Sequence, residues 1–240
     1  HLNDGEKKRS ILFSGDLGRY AVPLIVDPEE PPETDYLVCE STYGGEVHKP
    51  QDIFFDFAEL IDRIITDKSI LLIPAFAVGR TQQIIYILHV LEKQGRIPAI
   101  SINVDSPMAV KVTDIYRKYN SFHQINDDLI HESKNGFYGK NVKLHRKRKA
   151  SKELNKMKGP AIILSASGMM TGGRIKHHLI NRLPNEDTTL LIPGYMAEGT
   201  LGRKVLEGEK LVYIHKMPVE VNANIITMNG LSGHASGYEI

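Results

Sequence analysis

The chain has 240 residues, enough for one large domain or two small ones, and its 41% apolar and 25% charged residues are ordinary for a globular protein. Its net charge of +1 does not by itself indicate a nucleic-acid partner. The single cysteine, Cys39, excludes an internal disulfide framework and predicts a reducing, cytoplasmic compartment. The sequence has neither an apolar run of about 18 residues nor a signal peptide, so no membrane association is expected.

The predicted elements begin with short apolar runs that end in turn-forming residues. The runs in SILFSGDLG (10–18) and DYLVCESTYGG (35–45) predict two buried strands, and SILLIPAFAVGR (69–80) predicts a third. The next stretch, TQQIIYILHVLEKQGR (81–96), predicts a helix because its apolar residues recur near the helical period and Gly95 follows its end.

Three more strands are predicted in PAISINVDSPMA (98–109), PAIILSASGMMTGG (160–173) and TTLLIPGYMAEGTLG (188–202). Helical segments follow the first two of these strands, over 109–119 and 174–183. Apolar strands that alternate with helices predict an α/β fold, with a parallel sheet covered on both faces. Beyond residue 205 the strands are rich in Val and Ile without helices between them, which predicts a different sheet.

The ends of the predicted strands are rich in Gly, Ser and Thr, often with an arginine close behind. Ligands bind beyond the carboxyl ends of parallel strands, and helix N-termini there offer N–H groups to anions. The pattern therefore predicts a phosphate-lined groove, although turn chemistry alone accounts for some of these glycines. The segment SASGMMTGGR (165–174) matches neither a Walker loop nor GxGxxG, so nucleotide binding of those two kinds is not supported.

Three side chains at such positions are candidates for chemistry. Asp16 is either a metal ligand or a turn-forming aspartate. Glu40 ends an apolar run, so it is either a functional carboxylate or one that accepts structural hydrogen bonds. His234 has only small neighbours and is either a general acid held by a carboxylate or a solvated loop histidine.

The run KLHRKRKASKELNKMKG (143–159) is strongly basic and contrasts with the acidic loop at 27–35. It contains no interleaved aromatic residues, so base stacking by this run is not implied. Two interpretations remain open, a solvated loop and a non-specific contact to phosphates.

In combination these motifs resemble one family. SGDLGR, ESTYGG, PAFAVGRTQQIIYIL, DSPMA, SASGMMTGGR, GYMAEGTLGR and SGHAS occur in the order and approximate spacing of the β-CASP nucleases of the metallo-β-lactamase superfamily. Within this family the sequence is most similar to the RNA-processing branch, which includes the pre-mRNA cleavage endonuclease subunit and its prokaryotic relatives. The resemblance implies a three-layer, parallel-sheet β-CASP domain at 45–205. It also implies β-strand fragments of a metallo-β-lactamase αββα domain at 1–44 and 206–240.

The resemblance also implies roles for single residues. Asp16 would be a carboxylate that bridges two zinc ions, and Glu40 would hold His234, which would protonate the leaving oxygen. The reaction would be hydrolysis of an RNA phosphodiester by a zinc-bound hydroxide. Residues expected to contact RNA phosphates are Ser232, Gly233, Ala235 and Ser236, with Arg80, Ser167, Gly168 and Arg203 at the rim. Arg80 and Arg203 have an alternative role in which they cap or pair within the protein.

The zinc-binding motif of this family, His-x-His-x-Asp-His, does not occur in the sequence. His1 does not match the family's third-motif histidine, and the motif C histidine would lie past Ile240. We therefore expect a segment that by itself neither binds zinc tightly nor cleaves RNA, within a zinc-dependent parent nuclease that can form a homodimer. The alternatives are a non-catalytic RNA-binding scaffold subunit and an unrelated nucleotide-binding α/β protein.

Overall fold

The computed structural model describes residues 2–3, 8–45, 52–119, 122–123, 138–228 and 230–240. Its helices are α1 (Ile53–Thr66), α2 (Arg80–Lys93), α3 (Pro107–Lys118), α4 (Arg148–Leu154), α5 (Ile175–Arg182) and α6 (Leu201–Leu206). Its strands are β1 (Leu2–Asn3), β2 (Lys8–Arg9), β3 (Ile11–Phe13), β4 (Tyr36–Val38), β5 (Ile70–Pro74), β6 (Ser101–Val104), β7 (Val142–Leu144), β8 (Ala161–Ser165), β9 (Thr188–Ile192), β10 (Leu211–Ile214), β11 (Met217–Glu220) and β12 (Asn224–Thr227). His1, excluded above as a zinc ligand, lies outside the described residues.

A six-stranded sheet in the order β12-β9-β5-β8-β6-β7 forms the centre of the molecule. All of its strand pairs are parallel. The residues of β5, β8 and β9 are buried throughout, as expected of strands covered on both faces. Side chains alternate along a strand, so Leu71 and Ile73 face one layer while Ile70 and Leu72 face the other.

Helices cover both faces of this sheet. One apolar core joins the sheet to α1, α2 and α3, and a second joins it to α4, α5, α6 and the β10–β11 hairpin. These three layers confirm the predicted α/β architecture. No helix in the described part of the chain has the length and apolar content that a membrane span needs.

Two predictions about the strands were wrong. β3 and β4 were predicted to be buried, but apolar residues such as Phe13 and Leu37 are exposed in the two-stranded parallel sheet that these strands form with each other. An apolar run indicates burial only if another layer covers it, and the described residues supply no such layer. β12 was expected in a different sheet, but it pairs with β9 at the edge of the central sheet. The β10–β11 hairpin does form its own sheet.

Several elements were not predicted from the sequence, and α1, β7 and α4 are among them. α1 precedes β5 and packs Phe57, Leu60 and Ile61 into the core, and its N-cap is Asp52, which accepts hydrogen bonds from two backbone N–H groups. The basic run forms β7 and then α4 rather than an extended loop.

Candidate active site

A cleft of about 310 Å³ opens at the carboxyl edge of the central sheet. The strands β5, β8 and β9 are parallel neighbours, so their last residues lie at this one edge. The segments that follow these strands meet two more segments at the cleft, one after β4 and one at 232–234. The lining residues are Thr42, Tyr43, Pro74, Phe76, Arg80, Gly168, Met169, Pro193, Gly194, Tyr195, Met196, Ser232, Gly233 and His234.

Backbone contacts bring the two ends of the sequence together beside the cleft. Ala235 N–H donates to the carbonyl of Leu17 over 2.9 Å. Tyr43 and Ser236 form an isolated parallel bridge, which adds a second link between these segments. These links place the histidine loop against both the SGDLGR turn and the ESTYGG segment.

Glu40 and His234 form a hydrogen-bonded pair in this setting. Nδ1 of His234 lies 3.1 and 3.0 Å from the two carboxylate oxygens of Glu40, and donates because an ionised carboxylate only accepts. Leu17 N–H and the Thr42 hydroxyl also donate to Glu40, the hydroxyl over 2.6 Å. The Glu40 side chain is 10% exposed and that of His234 is 36% exposed, so the ring can reach a ligand while the carboxylate stays covered.

These contacts change the acidity of Glu40. Burial by itself raises the pKa of the carboxyl, but donation from Thr42, Leu17 and His234 outweighs it and lowers the pKa from 4.5 to about 2. Glu40 is therefore ionised at neutral pH. A carboxylate in this position fixes the orientation and the tautomer of His234. Nε2 is then the ring nitrogen that would exchange a proton with a ligand in the cleft.

The predicted rim residues have different placements. Arg80 lines the cleft, and its Nη1 donates to Gln83 over 2.7 Å. Burial lowers the pKa of Arg80 to about 10, partly offset by Tyr43, so the guanidinium is charged at neutral pH. Gly168 also lines the cleft, but the Ser167 hydroxyl accepts from Gly172 N–H within its own loop. Arg203 lies on α6, where its Nε donates to Glu207 over 2.7 Å.

The small residues around His234 also divide into two groups. Ser232 and Gly233 line the cleft beside the histidine. Ala235 is fully buried and its N–H is bonded to Leu17. The N–H and hydroxyl of Ser236 both donate to Glu239 over 2.9 Å. In this structure the polar groups of Ala235 and Ser236 support the loop rather than face the cleft.

Residues 81–205, more than half of the chain, match the family described as the Beta-Casp domain. The chain belongs to the β-CASP family. It is 35% identical over 234 residues to ribonuclease TTHA0252 of Thermus thermophilus, and the alignment covers 97% of this chain and 54% of that protein. The match to transcription termination factor FttA of Thermococcus kodakarensis is 30% identical, covering 100% of this chain and 38% of the relative.

The eukaryotic branch is represented by endoribonuclease YSH1 of Mycosarcoma maydis, which is 29% identical over 91% of this chain and 25% of the relative. This β-CASP chain therefore spans about half, or less, of the length of these relatives. The matches confirm the family resemblance read from the ordered motifs.

β-CASP nucleases generally use metal ions, and the donor atoms of this chain can be tested for such a site. Asp16, Glu40 and His234 have ligand atoms within 4.8 Å of one another. The carboxylate of Glu40 and Nδ1 of His234 are engaged with each other, while the Asp16 side chain is exposed. Of these three residues, only Asp16 is then left to bind a metal ion. A catalytic zinc takes about three protein ligands, so the described residues do not by themselves fit a zinc centre.

A second polar cluster near this edge was not predicted. Asp105, fully buried at the end of β6, accepts from Ser151 over 2.6 Å and from Arg174 and His178 over 2.7 Å. Burial alone raises the pKa of Asp105, but these donors outweigh it and lower the pKa below its ordinary value. Arg174 also donates to the carbonyls of His145 and Arg146, so the cluster ties the loop that carries Gly168 to the basic run. The available signal was the same as for Glu40, an acidic residue at the end of an apolar run.

Proposed function

We propose that this β-CASP chain carries the acid–base residues of a site that hydrolyses RNA phosphodiester bonds. The observation that carries the proposal is the hydrogen bond between Glu40 and His234 at the edge of the cleft. The names ribonuclease and endoribonuclease among its relatives support RNA as the substrate.

His234 would act on the leaving group. As a water oxygen bonds to the phosphorus and the P–O bond to the leaving oxygen breaks, the protonated ring would donate its Nε2 proton to that oxygen, which leaves as a hydroxyl. Glu40 stays ionised throughout, holds Nδ1 and stabilises the ring while it is charged. Arg80, Ser232 and Gly233 line the same cleft and would orient the phosphate.

Asp16 would contribute one ligand to a metal ion, and the family resemblance makes that ion zinc. Since the described residues do not complete a zinc site, we propose that the remaining ligands come from residues other than these. The chain by itself would then neither bind zinc tightly nor cleave RNA. The segment boundaries at 1–44, 45–205 and 206–240, a homodimer and a cytoplasmic location stay predictions.

Exposed cations follow β7 at the same edge of the sheet, with β6 between β7 and the cleft strand β8. β7 ends at Leu144 at this edge, and Lys147, Arg148 and Lys149 follow it with exposed side chains; we name these three residues the basic shelf. The bonds from Arg174 to the carbonyls before the shelf link it to the cleft loop. Of the two interpretations of the basic run, phosphate contact is therefore the one we propose.

The decisive experiment compares cleavage of an unstructured, end-labelled RNA by the longest natural polypeptide that contains this chain and by its H234A variant. We expect zinc-dependent cleavage by the unmodified protein and a large loss of rate in the variant, with metal content unchanged. EDTA-sensitive cleavage by the purified 240-residue chain would contradict the proposal that this chain does not supply all the ligands of the metal site. RNA binding without cleavage by the longer polypeptide would instead support a non-catalytic scaffold.

A further inference from the structure

Two exposed aromatic side chains stand at the mouth of the cleft. Phe76 is 51% exposed and Tyr195 is 58% exposed, and both line the cavity that His234 also lines. Phe76 comes two residues after the end of β5 and Tyr195 three residues after the end of β9. These strands are neighbours in the sheet, about 4.8 Å apart, so the two side chains project from adjacent strand ends.

The position of Phe76 is tightly constrained. Thr81 donates to the carbonyl of Phe76 from its hydroxyl over 2.7 Å and from its N–H over 3.3 Å. The ring lies against Gly168, where an added Cβ would sit only 2.9 and 3.0 Å from two ring carbons. The backbone and one side of the ring are thus held in place while half of the side chain remains exposed.

Buried residues flank the backbone at Tyr195. Pro193 and Met196 are buried on either side of it, whereas Tyr195 itself is exposed. Neither Phe76 nor Tyr195 contributes to the two apolar cores described above. Both side chains line a concave cleft rather than a flat surface, so they are placed to contact a ligand that enters it.

The groups around these rings identify the ligand class. Arg80 supplies positive charge to the cleft, and His234, held by Glu40, supplies a proton donor. A phosphate group would use both, whereas an apolar peptide would need neither. Aromatic faces beside cations are the features that bind single-stranded nucleic acid, because every base has a π-face that can stack on them. We infer that Phe76 and Tyr195 stack the bases of single-stranded RNA next to the phosphate that would be cleaved. This inference rests on the proposed function, and it makes unpaired RNA the preferred substrate because bases in a duplex are already stacked.

The test measures binding of a fluorescent single-stranded oligoribonucleotide to this chain in EDTA, so that cleavage does not interfere. We expect F76A and Y195A each to weaken binding roughly 5- to 150-fold, the range for loss of one base stack. The control Y213A removes a tyrosine that is 68% exposed on the β10–β11 hairpin, and should bind like the unmodified chain. F76L and Y195L keep apolar bulk without an aromatic ring and should show similar losses, so the test survives if an alanine variant fails to fold.

A second probe separates stacking from other effects. An oligonucleotide of the same length with abasic sugars keeps the phosphates, and its binding should be the same for the unmodified chain and the aromatic variants. Equal losses on both probes, or no loss on the RNA, would overturn the inference. Unchanged RNA binding together with weaker binding of an apolar peptide would identify a protein-docking surface instead.

The binding test of the aromatic residues can succeed or fail independently of the proposed role of His234 in cleavage. If the aromatic variants lose affinity but H234A cleaves at the normal rate, stacking stands and the acid–base assignment fails. If H234A is inactive and the aromatic variants bind normally, the assignment stands and stacking fails.

Discussion

Glu40 and His234 are 194 positions apart in the sequence, yet a carboxylate oxygen of one lies 3.0 Å from Nδ1 of the other. Leu17 N–H and the Thr42 hydroxyl also donate to this carboxylate. Three segments of the chain, those that carry Leu17, Glu40 and His234, therefore meet at this pair. The pair leaves the ring partly exposed in the cleft, which is the arrangement that a general acid needs.

The first prediction concerns His234 in the longest natural polypeptide that contains this chain. H234A should lower the single-turnover cleavage rate by roughly 10²- to 10⁴-fold, the usual contribution of a positioned acid, with little change in bound metal. H177A, which removes an exposed histidine from α5, is the matched control and should cleave normally. Loss of metal from H234A, measured by elemental analysis, would show that His234 is a ligand.

The second prediction is a pH dependence of stability. The native-state pKa of Glu40 is lowered to about 2 from 4.5, so its ionisation favours the folded state above about pH 4.5. This contribution should be lost as the pH falls from 4.5 towards 2. E40Q should therefore be less stable than the unmodified chain at pH 6 and approach it at pH 3, as measured by urea unfolding. A constant difference between the two proteins across this range would rule out the assigned ionisation.

The third prediction concerns the buried cluster around Asp105. Its side chain is fully buried and paired with Arg174 and His178, so D105A should cost about 3–5 kcal/mol of unfolding free energy. D114A breaks the pair of Asp114 with Arg146, whose side chains are 37% and 62% exposed, and should cost at most about 1 kcal/mol. Similar midpoints for the two variants in urea would show that the cluster does not stabilise the fold.

The fourth prediction uses the contact between Gly168 and Phe76. G168A should displace the phenyl ring, because the new Cβ would lie 2.9 Å from a ring carbon, and should weaken binding of single-stranded RNA. G172A is the control, since a Cβ at Gly172 in the same loop meets nothing within 4 Å. In the F76A background G168A should add little further loss, because its effect acts through the ring. Full additivity in this double-mutant cycle would separate the two residues.

The fifth prediction concerns the basic shelf. The variant K147Q/R148Q/K149Q should bind RNA more weakly, and its log K should depend less on log salt, by about 0.7 for each phosphate that the shelf no longer neutralises. The control R63Q/K68Q/R96Q removes three exposed charges from segments that precede β5 and β6, at the opposite edge of the sheet. A salt dependence that changes equally in both variants would indicate a general charge effect rather than a binding surface.

Several features could be predicted from local patterns. The apolar runs predicted β5, β6, β8 and β9, since strands that are buried on both faces are largely apolar. The same reasoning failed for β3 and β4, where burial depends on what packs against the strand. Local patterns also did not predict the buried cluster around Asp105, because its three donors come from distant parts of the chain.

The sequence by itself determined the α/β class, because apolar periodicity and turn chemistry are local properties. Its ordered strand-end motifs also carried the resemblance to the β-CASP family. Only the tertiary structure decided that Glu40 holds His234, that Arg203 pairs with Glu207 and that Phe76 lies on Gly168 at the cleft. These are distances between atoms that meet only after the chain has folded, and a side chain acquires its partner, its pKa and its exposure from that meeting.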